Sequence, residues 1–274
     1  MADARAIENL LAFWADAGVD VALADAPQDR MAAGLEALKP KLAPAAPRVA
    51  AAASAAFAPP PSEPVDATAI ETARAMAAGA ETLAQLAEAI AEFDGCPLKR
   101  QGARQAVFER GVADAGVMVI GEGPGADEDA QGLPFVGRAG KLLDKMLAAA
   151  KLTDRVLITN TVFWRPPGNR TPTAAEQAAC APFVERAIAL VKPRVLLLTG
   201  AASAKHMLKR QEGILSLRGR WFEWKSEDGA LELPALPTLH PAFLLRQPAA
   251  KKHAWSDLLL LTERLGRVSR PTQI

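Results

Sequence analysis

Four short, almost continuous apolar runs alternate with longer amphipathic segments over the second half of the sequence, and this alternation limits the fold more than any other feature. The runs cover residues 117–121, 155–160, 195–200 and 235–240. Short uninterrupted runs are typical of parallel strands that are buried on both faces. Helices are expected between and after them, at residues 140–150, 173–191, 201–209 and 251–265. The pattern therefore predicts an α/β protein with a central parallel sheet of about four strands.

The sequence before this region is different in composition. Residues 1–40 have the apolar spacing of a short helical segment, and residues 41–65 are rich in alanine and proline, which indicates a flexible linker. From residue 66 to residue 93 an alanine-rich amphipathic pattern predicts the leading helix of a domain that covers residues 66–274. A protein partner for residues 1–65 is one role that we consider for the extension.

Charge and cysteine content restrict the class of protein. Residues 1–93 hold 6 Lys/Arg and 13 Asp/Glu, whereas the remainder holds 26 and 18, and such a basic half favours a polyanionic partner. No apolar run approaches the roughly 18 residues of a membrane span, and the first residues do not resemble a signal peptide. With only two cysteines, a disulfide framework is not expected. We expect a cytoplasmic protein that acts as a monomer.

The segments that follow the predicted strands carry the polar residues. A glycine-rich loop after the first strand contains Glu122 and Phe135, and Asn160 and His240 stand at the ends of two other strands. Such a loop usually cradles phosphate, but this one also carries several carboxylates, which repel phosphate. Because ligands of parallel sheets bind at the carboxyl ends of the strands, we expect these four residues to share one pocket.

The sequence of these loops resembles the three motif blocks of the family 4 uracil-DNA glycosylases. The blocks are "GEGPGADEDAQGLPFVGRAG", "ITNTVFWRPPGNRTP" and "LPTLHPAFLLRQPAAKKHAW", and they occur in the family's order. The resemblance covers roughly residues 93–265. It implies a three-layer α/β/α sandwich and hydrolysis of the N-glycosidic bond of uracil in DNA, with release of free uracil in base excision repair.

The resemblance also implies which residues bind the base. Phe135 is expected to stack on a uracil flipped out of the helix, and Gly123 to allow close approach of the backbone. Asn160 is expected to read the uracil edge, because its amide can donate to O4 and accept from N3–H whereas cytosine presents the reverse pattern. His240 is expected beside uracil O2, where a donor stabilises the charge left on the departing base.

Further roles follow from the same resemblance. Glu122 is expected to stabilise the sugar cation and to orient water with help from Asn169, although the sequence leaves the water-activating group open. For Glu128, catalysis and a structural ion pair are equally favoured. Residues expected to contact the DNA backbone or to fill the gap left by the base are Arg165, Arg170, Phe243, Leu244, Arg246 and Lys251.

The sequence departs from the family at its metal site. Most members hold a four-iron, four-sulfur cluster on four cysteines, and the matching positions here are Phe93, Cys96, Trp164 and Cys180. Two thiolates cannot form a site of four, and neither phenylalanine nor tryptophan ligates iron. We therefore expect no cluster, with the two aromatic rings filling its volume; a cluster on other ligands is the alternative.

Three other functions remain open from the sequence. One is a protein that captures uracil-containing DNA without turnover, although the basic insertion used by such a branch is absent after residue 160. Another is a glycosylase of broader base specificity. The third is a degenerate module that recruits partners or accompanies a polymerase, which the intact pocket residues argue against.

Overall fold

The computed structural model describes residues 67–268, with the side chains of residues 267 and 268 left out. The predicted helical segment at residues 1–40 and the linker at residues 41–65 lie outside the described residues. Strands are found at β1 Glu109–Gly111, β2 Val117–Gly121, β3 Val156–Asn160, β4 Val195–Thr199, β5 Phe222–Lys225 and β6 Glu232–Thr238. The α-helices are α1 Ala67–Gly79, α2 Leu83–Glu92, α3 Ala126–Gln131, α4 Arg138–Ala149, α5 Ala174–Val191, α6 Ala201–Leu208, α7 Ile214–Leu217, α8 Pro241–Arg246 and α9 Lys251–Val268.

The strands of the described region form one sheet in the order β1-β3-β2-β4-β6-β5. The four central strands are parallel, as predicted, while β1 and β5 add antiparallel edges. Neither edge strand was predicted. β1 has only three residues and no apolar run, and β5 buries only one of its four residues, so neither carries the pattern of a buried strand.

Helices cover both faces of the sheet, which confirms the three-layer α/β/α sandwich. Alternate residues of each central strand point to opposite faces because the side-chain period of a strand is two. On one face Met118 and Ile120 pack with α1, α2 and α5. On the other face Val117 and Val119 pack with α4 and α9. Two separate apolar cores thus hold the sheet rigid between them.

The leading helix differs from the prediction for residues 66–93. It is divided into α1 and α2, because Thr82 begins a new helix. The Thr82 hydroxyl accepts a hydrogen bond from the Gln85 backbone N–H at 3.2 Å, and the Gln85 side chain accepts one from the Thr82 N–H at 3.1 Å. This capping box satisfies N–H groups that a helix start leaves free. It was not predicted, because it lies within an alanine-rich sequence.

A second capping box begins α5, the helix predicted at residues 173–191. The Thr173 hydroxyl accepts a hydrogen bond from the Glu176 N–H at 3.2 Å, and Glu176 accepts one from the Thr173 N–H at 2.8 Å. Within residues 67–268, no helix combines the length and the apolar character that a membrane crossing requires.

Candidate active site

The carboxyl ends of two central strands bring the first candidate residues together. In the register of β2 and β3, Gly121 lies opposite Asn160. The glycine is needed here, because a Cβ on Gly121 would meet the Asn160 Oδ1 and would lie 2.5 Å from Cε2 of Phe135. The amide and the aromatic ring therefore border the same point at the edge of the sheet.

The side chain of Asn160 is buried but has no partner. Asn160 is 1% exposed, and neither its Nδ2 nor its Oδ1 makes a hydrogen bond within the described part of the chain. A buried polar group left without a partner costs about 1–3 kcal/mol, so such groups are rare in folded proteins. An amide in this condition is suited to a ligand that supplies one acceptor and one donor.

Phe135 reaches the site from the loop between α3 and α4. Its ring is buried, and its backbone has a φ of 55°, in the left-handed region that residues other than glycine seldom adopt. The ring centroid lies 5.6 Å from that of His240, with 36° between the ring planes. Phe135, Asn160 and His240 thus come from three separate loops and strand ends and border one site.

The tautomer of His240 follows from its contacts. His240 stands before the first turn of α8, and its Nδ1 accepts a hydrogen bond from the Ala242 N–H at 3.2 Å. Burial, followed by the positive charge of Arg246, lowers the pKa of His240 to about 4. A neutral imidazole whose Nδ1 is an acceptor carries its proton on Nε2. At neutral pH, Nε2 is therefore a hydrogen-bond donor.

The glycine-rich loop is fixed by its own carboxylates. Glu128 Oε2 accepts from the Gly125 N–H at 3.1 Å, and Glu128 Oε1 accepts from the Gly137 N–H at 2.9 Å. Of the two roles predicted for Glu128, these contacts favour the structural one, although through backbone amides rather than an ion pair. The Glu128 carboxylate thus occupies backbone N–H groups of the kind that bind phosphate in other glycine-rich loops.

The backbone of Glu122 is held from the neighbouring loop. The Thr161 hydroxyl donates to the Glu122 carbonyl at 2.6 Å and accepts from the Gln177 side chain at 3.1 Å. Gly123 lies against the second loop, since a Cβ there would be 2.8 Å from Val162 Cγ2. Neither Thr161 nor Gln177 was predicted, because their only signal is that they are polar residues within apolar surroundings.

The second loop contains the predicted residues Asn169, Arg165 and Arg170. Asn169 is exposed, and its Oδ1 accepts from Arg165 Nε at 2.7 Å. Arg170 forms two hydrogen bonds to the fully buried carboxylate of Glu176, at 2.6 and 2.8 Å. Burial raises the pKa of Glu176, but the hydrogen bonds from Arg170 and Thr173 outweigh it and the pKa lies below its usual value. Contrary to the prediction, Arg170 is engaged within the protein and is not free for phosphate.

In the segment after His240, the structure differs from the prediction for Leu244. Leu244 is fully buried beside Leu239 and Ala254, so it cannot fill a gap in DNA. The following residue, Leu245, is 39% exposed, and Phe243 is partly buried. The segment is a helix that begins after His240, and this turns Leu244 inward and Leu245 outward. Arg246 and Lys251 are exposed, as a contact with phosphate requires.

The four cluster positions do not fit a four-iron, four-sulfur cluster. Phe93 and Trp164 are 1% exposed with ring centroids 6.4 Å apart, and Phe93 also packs edge-on against Phe183 at 5.1 Å. Cys96 and Cys180 are the only cysteines of the chain and both are buried. Burial and the neighbouring Cys96 raise the pKa of Cys180 well above its usual value, which keeps it a thiol. In residues 67–268 no three His, Cys, Asp or Glu residues are grouped to hold a metal ion.

The protein is thus an α/β/α sandwich in which an unpartnered amide, an aromatic ring and a neutral imidazole meet at the carboxyl ends of the strands. Comparison with known sequences identifies its family. The family described as the Uracil DNA glycosylase superfamily matches residues 108–259, and the chain belongs to that superfamily.

Individual relatives are similar over the same region. The Type-4 uracil-DNA glycosylase of Pyrobaculum aerophilum is 38% identical over 183 residues, which are 65% of this chain and 92% of that protein. Those of Sulfurisphaera tokodaii and Thermotoga maritima are 34% and 36% identical over 189 and 168 residues. These stretches are 67% and 61% of this chain and 84% of each relative.

Proposed function

We propose that this protein is a uracil-DNA glycosylase, which hydrolyses the N-glycosidic bond of uracil in DNA, releases free uracil and leaves an abasic site for base excision repair. The relatives named above carry this activity in their names. The observation that carries the proposal is the buried amide of Asn160, which has no partner in the described chain and borders Phe135 at the site that His240 also borders.

The proposed recognition of the base uses both atoms of this amide. Nδ2 donates to uracil O4 and Oδ1 accepts from N3–H, so the base supplies the two hydrogen bonds that the protein leaves unmade. Cytosine offers a donor at its exocyclic amine and an acceptor at N3, which reverses the pattern. With the amide in one orientation, cytosine leaves both pairs mismatched in a buried site, where such pairs are costly.

Phe135 provides the proposed stacking platform. Base–aromatic stacking contributes about 1–3 kcal/mol per base. Since the ring is already buried against the sheet edge, little side-chain freedom is lost when the base arrives. A base can reach such a pocket only after leaving the DNA stack.

The chemistry assigned to His240 is stabilisation of the leaving group. As the glycosidic bond breaks, negative charge grows on uracil, and the Nε2–H donates a hydrogen bond to O2. A neutral imidazole can do this without first losing or gaining a proton, which agrees with a pKa of about 4.

Glu122 is the proposed partner of the sugar. Its carboxylate would stabilise the positive charge that develops on the deoxyribose and would orient the attacking water. Its backbone carbonyl is held by Thr161, which limits movement of the loop that carries it. Asn169 remains a proposed assistant and would exchange its hydrogen bond with Arg165 for one with water.

The proposed DNA contacts lie on α8 and at the start of α9. Arg246 and Lys251 are exposed and would bind phosphates, so affinity would fall as salt rises. Leu245, with Phe243 beside it, replaces Leu244 as the apolar side chain that would enter the gap left by the flipped base.

The test is an excision assay on one oligonucleotide sequence that carries uracil, thymine, hypoxanthine or cytosine at a single position, as a single strand and as a duplex. Release of free uracil, followed by alkaline cleavage at that position, is the expected result. Cytosine should be left intact. A denaturant-resistant complex without free uracil would instead indicate a capture protein, and no reaction with uracil would reject the proposal.

A further inference from the structure

The backbone of Phe135 needs support from its surroundings. Its φ of 55° lies in a region that side chains disfavour, and such a conformation persists only where neighbouring contacts enforce it. The carbonyl of Phe135 is also tightly placed, because a Cβ on Gly140 would collide with it. The orientation of the ring depends on this backbone, so whatever holds the carbonyl also holds the stacking surface.

Arg110 supplies this support from the edge strand β1. Its Nε donates to the Pro134 carbonyl at 2.6 Å, and its Nη2 donates to the Phe135 carbonyl at 3.0 Å. The same Nη2 lies 2.6 Å from Oδ1 of Asp144 on α4. One guanidinium therefore joins the edge strand, the loop that carries Phe135 and the helix after that loop.

We propose that Arg110 is a positioning residue that holds Phe135 in its stacking geometry, an inference that rests on the proposed function. It does not touch the base and acts only through the backbone of residues 134 and 135. A planar guanidinium suits this task, because its N–H groups point in fixed directions and can bind two successive carbonyls at once. The ammonium group of lysine lacks this fork and would keep one contact at most.

This role predicts that the effects of substitutions at Arg110 and Phe135 on kcat/KM are not additive in free energy. If Arg110 acts only through Phe135, Arg110→Ala has an effect in the wild-type protein but little further effect once Phe135 is alanine. We expect Phe135→Ala to lower kcat/KM for uracil release about 5- to 150-fold, as for loss of one base–aromatic stack. Arg110→Ala should lower it about 5- to 10-fold, as for loss of one or two net hydrogen bonds. The double variant should match Phe135→Ala.

A second measurement separates positioning from general stability. The inhibition constant of free uracil should be higher for Arg110→Ala than for the wild type, by the same factor by which kcat/KM falls. The reason is that the stacking surface that binds uracil is displaced. Arg110→Lys should lie between the two. The matched control is Arg186→Ala, which also removes a partly buried guanidinium that donates to a loop carbonyl, that of Ala80 at 2.8 Å. Because the carbonyl that Arg186 binds belongs to the segment between α1 and α2 and not to the loop that carries Phe135, uracil inhibition should be unchanged.

The inference would be overturned if the double variant lost kcat/KM by the product of the two single-variant factors. It would also be overturned if a folded Arg110→Ala variant had the kcat/KM of the wild type. If Arg110→Ala does not fold, Arg110→Lys and Asp144→Asn replace it in the cycle and are judged by the same rule. A wild-type protein that releases no uracil would reject the proposed function itself, and this result is distinct because it precedes any comparison of variants.

Discussion

The candidate site around Phe135, Asn160 and His240, here called the pocket, differs from the aromatic cluster of Phe93 and Trp164 in how fully the polar and apolar groups find partners. In the pocket, Asn160 is buried without a partner and Phe135 has a disfavoured backbone conformation. In the cluster, Phe93 and Trp164 are packed against other rings, with two buried thiols beside them. The candidate site thus keeps bonding capacity that the protein itself does not use, whereas the rings of the cluster are closely packed.

The magnitudes support this contrast. An unpartnered buried amide costs about 1–3 kcal/mol, a large share of the roughly 5–15 kcal/mol by which a domain is stable. Complete burial of large aromatic side chains contributes favourably by a similar amount each. A tightly packed region can therefore offset a pocket that is costly to maintain. Variants in the two regions should separate stability from activity.

The largest effect is expected from the cluster. Trp164→Ala removes a side chain that is 1% exposed and should lower the free energy of unfolding by about 3–5 kcal/mol, measured by chemical denaturation. Uracil release per folded molecule should be preserved at low temperature. Trp255→Ala is the matched control, since that indole is 41% exposed and its loss should change stability by less than about 1 kcal/mol. A stable but inactive Trp164→Ala protein would break the comparison.

In the pocket, the largest effect is expected from His240→Ala. Loss of the Nε2–H donor should slow single-turnover release of uracil. The activation free energy should rise by about 2–4 kcal/mol, as for loss of one oxyanion donor. Stability should fall by only about 1 kcal/mol, through the lost contact with the Ala242 N–H. His253→Ala, at an exposed imidazole, serves as the control. An unchanged rate would contradict the role of His240.

Asn160→Asp tests the amide with a smaller expected effect. The carboxylate cannot donate to uracil O4, so kcat/KM should fall. The fall should correspond to a loss of about 1–3 kcal/mol of transition-state stabilisation. Burial raises the pKa of such a carboxyl, and its protonated form can donate again. The deficit, measured against the wild type at each pH, should therefore be greater at pH 8 than at pH 5.5. A deficit that is absent, or that does not depend on pH, would argue against direct contact with the base.

The smallest effect is expected from pH in the wild-type protein. The pKa of His240 is lowered from 6.5 to about 4, so the neutral, donating form persists as pH falls through 6.5. The single-turnover rate should therefore show no protonation step of His240 between pH 5 and pH 8. Near-ultraviolet circular dichroism confirms folding across this range. A step near pH 6.5 that disappears in His240→Ala would contradict this assignment.

The four parallel strands could be predicted because β2, β3 and β4 are buried throughout and β6 is buried over its last four residues, so each carries its signal within a short run. The edge strands could not, since three residues of β1 hold no periodic pattern. The division between α1 and α2 was missed because a capping box involving Thr82 and Gln85 is a weak signal in alanine-rich sequence. Local patterns thus identified the centre of the fold more reliably than its margins.

The candidate site was predictable to the same extent. The positions of Phe135, Asn160 and His240 followed from strand ends and motif resemblance, and the structure brings them together. The assignments of Arg170 and Leu244 failed, because charge and apolar character do not reveal whether a side chain finds a partner within the fold. Arg170 is paired with Glu176, and Leu244 faces the core because the loop is a helix.

The sequence by itself determined the layered α/β architecture, the set of residues at the strand ends and the presence of only two cysteines, because these depend on residue type and short-range order. Only the tertiary structure decided which hydrogen bonds are made and which are left open. It left the Asn160 amide without a partner, set the proton of His240 on Nε2 and brought the Arg110 guanidinium to the Phe135 carbonyl. These features join segments that are distant in the chain, and only close packing brings such segments within hydrogen-bonding distance.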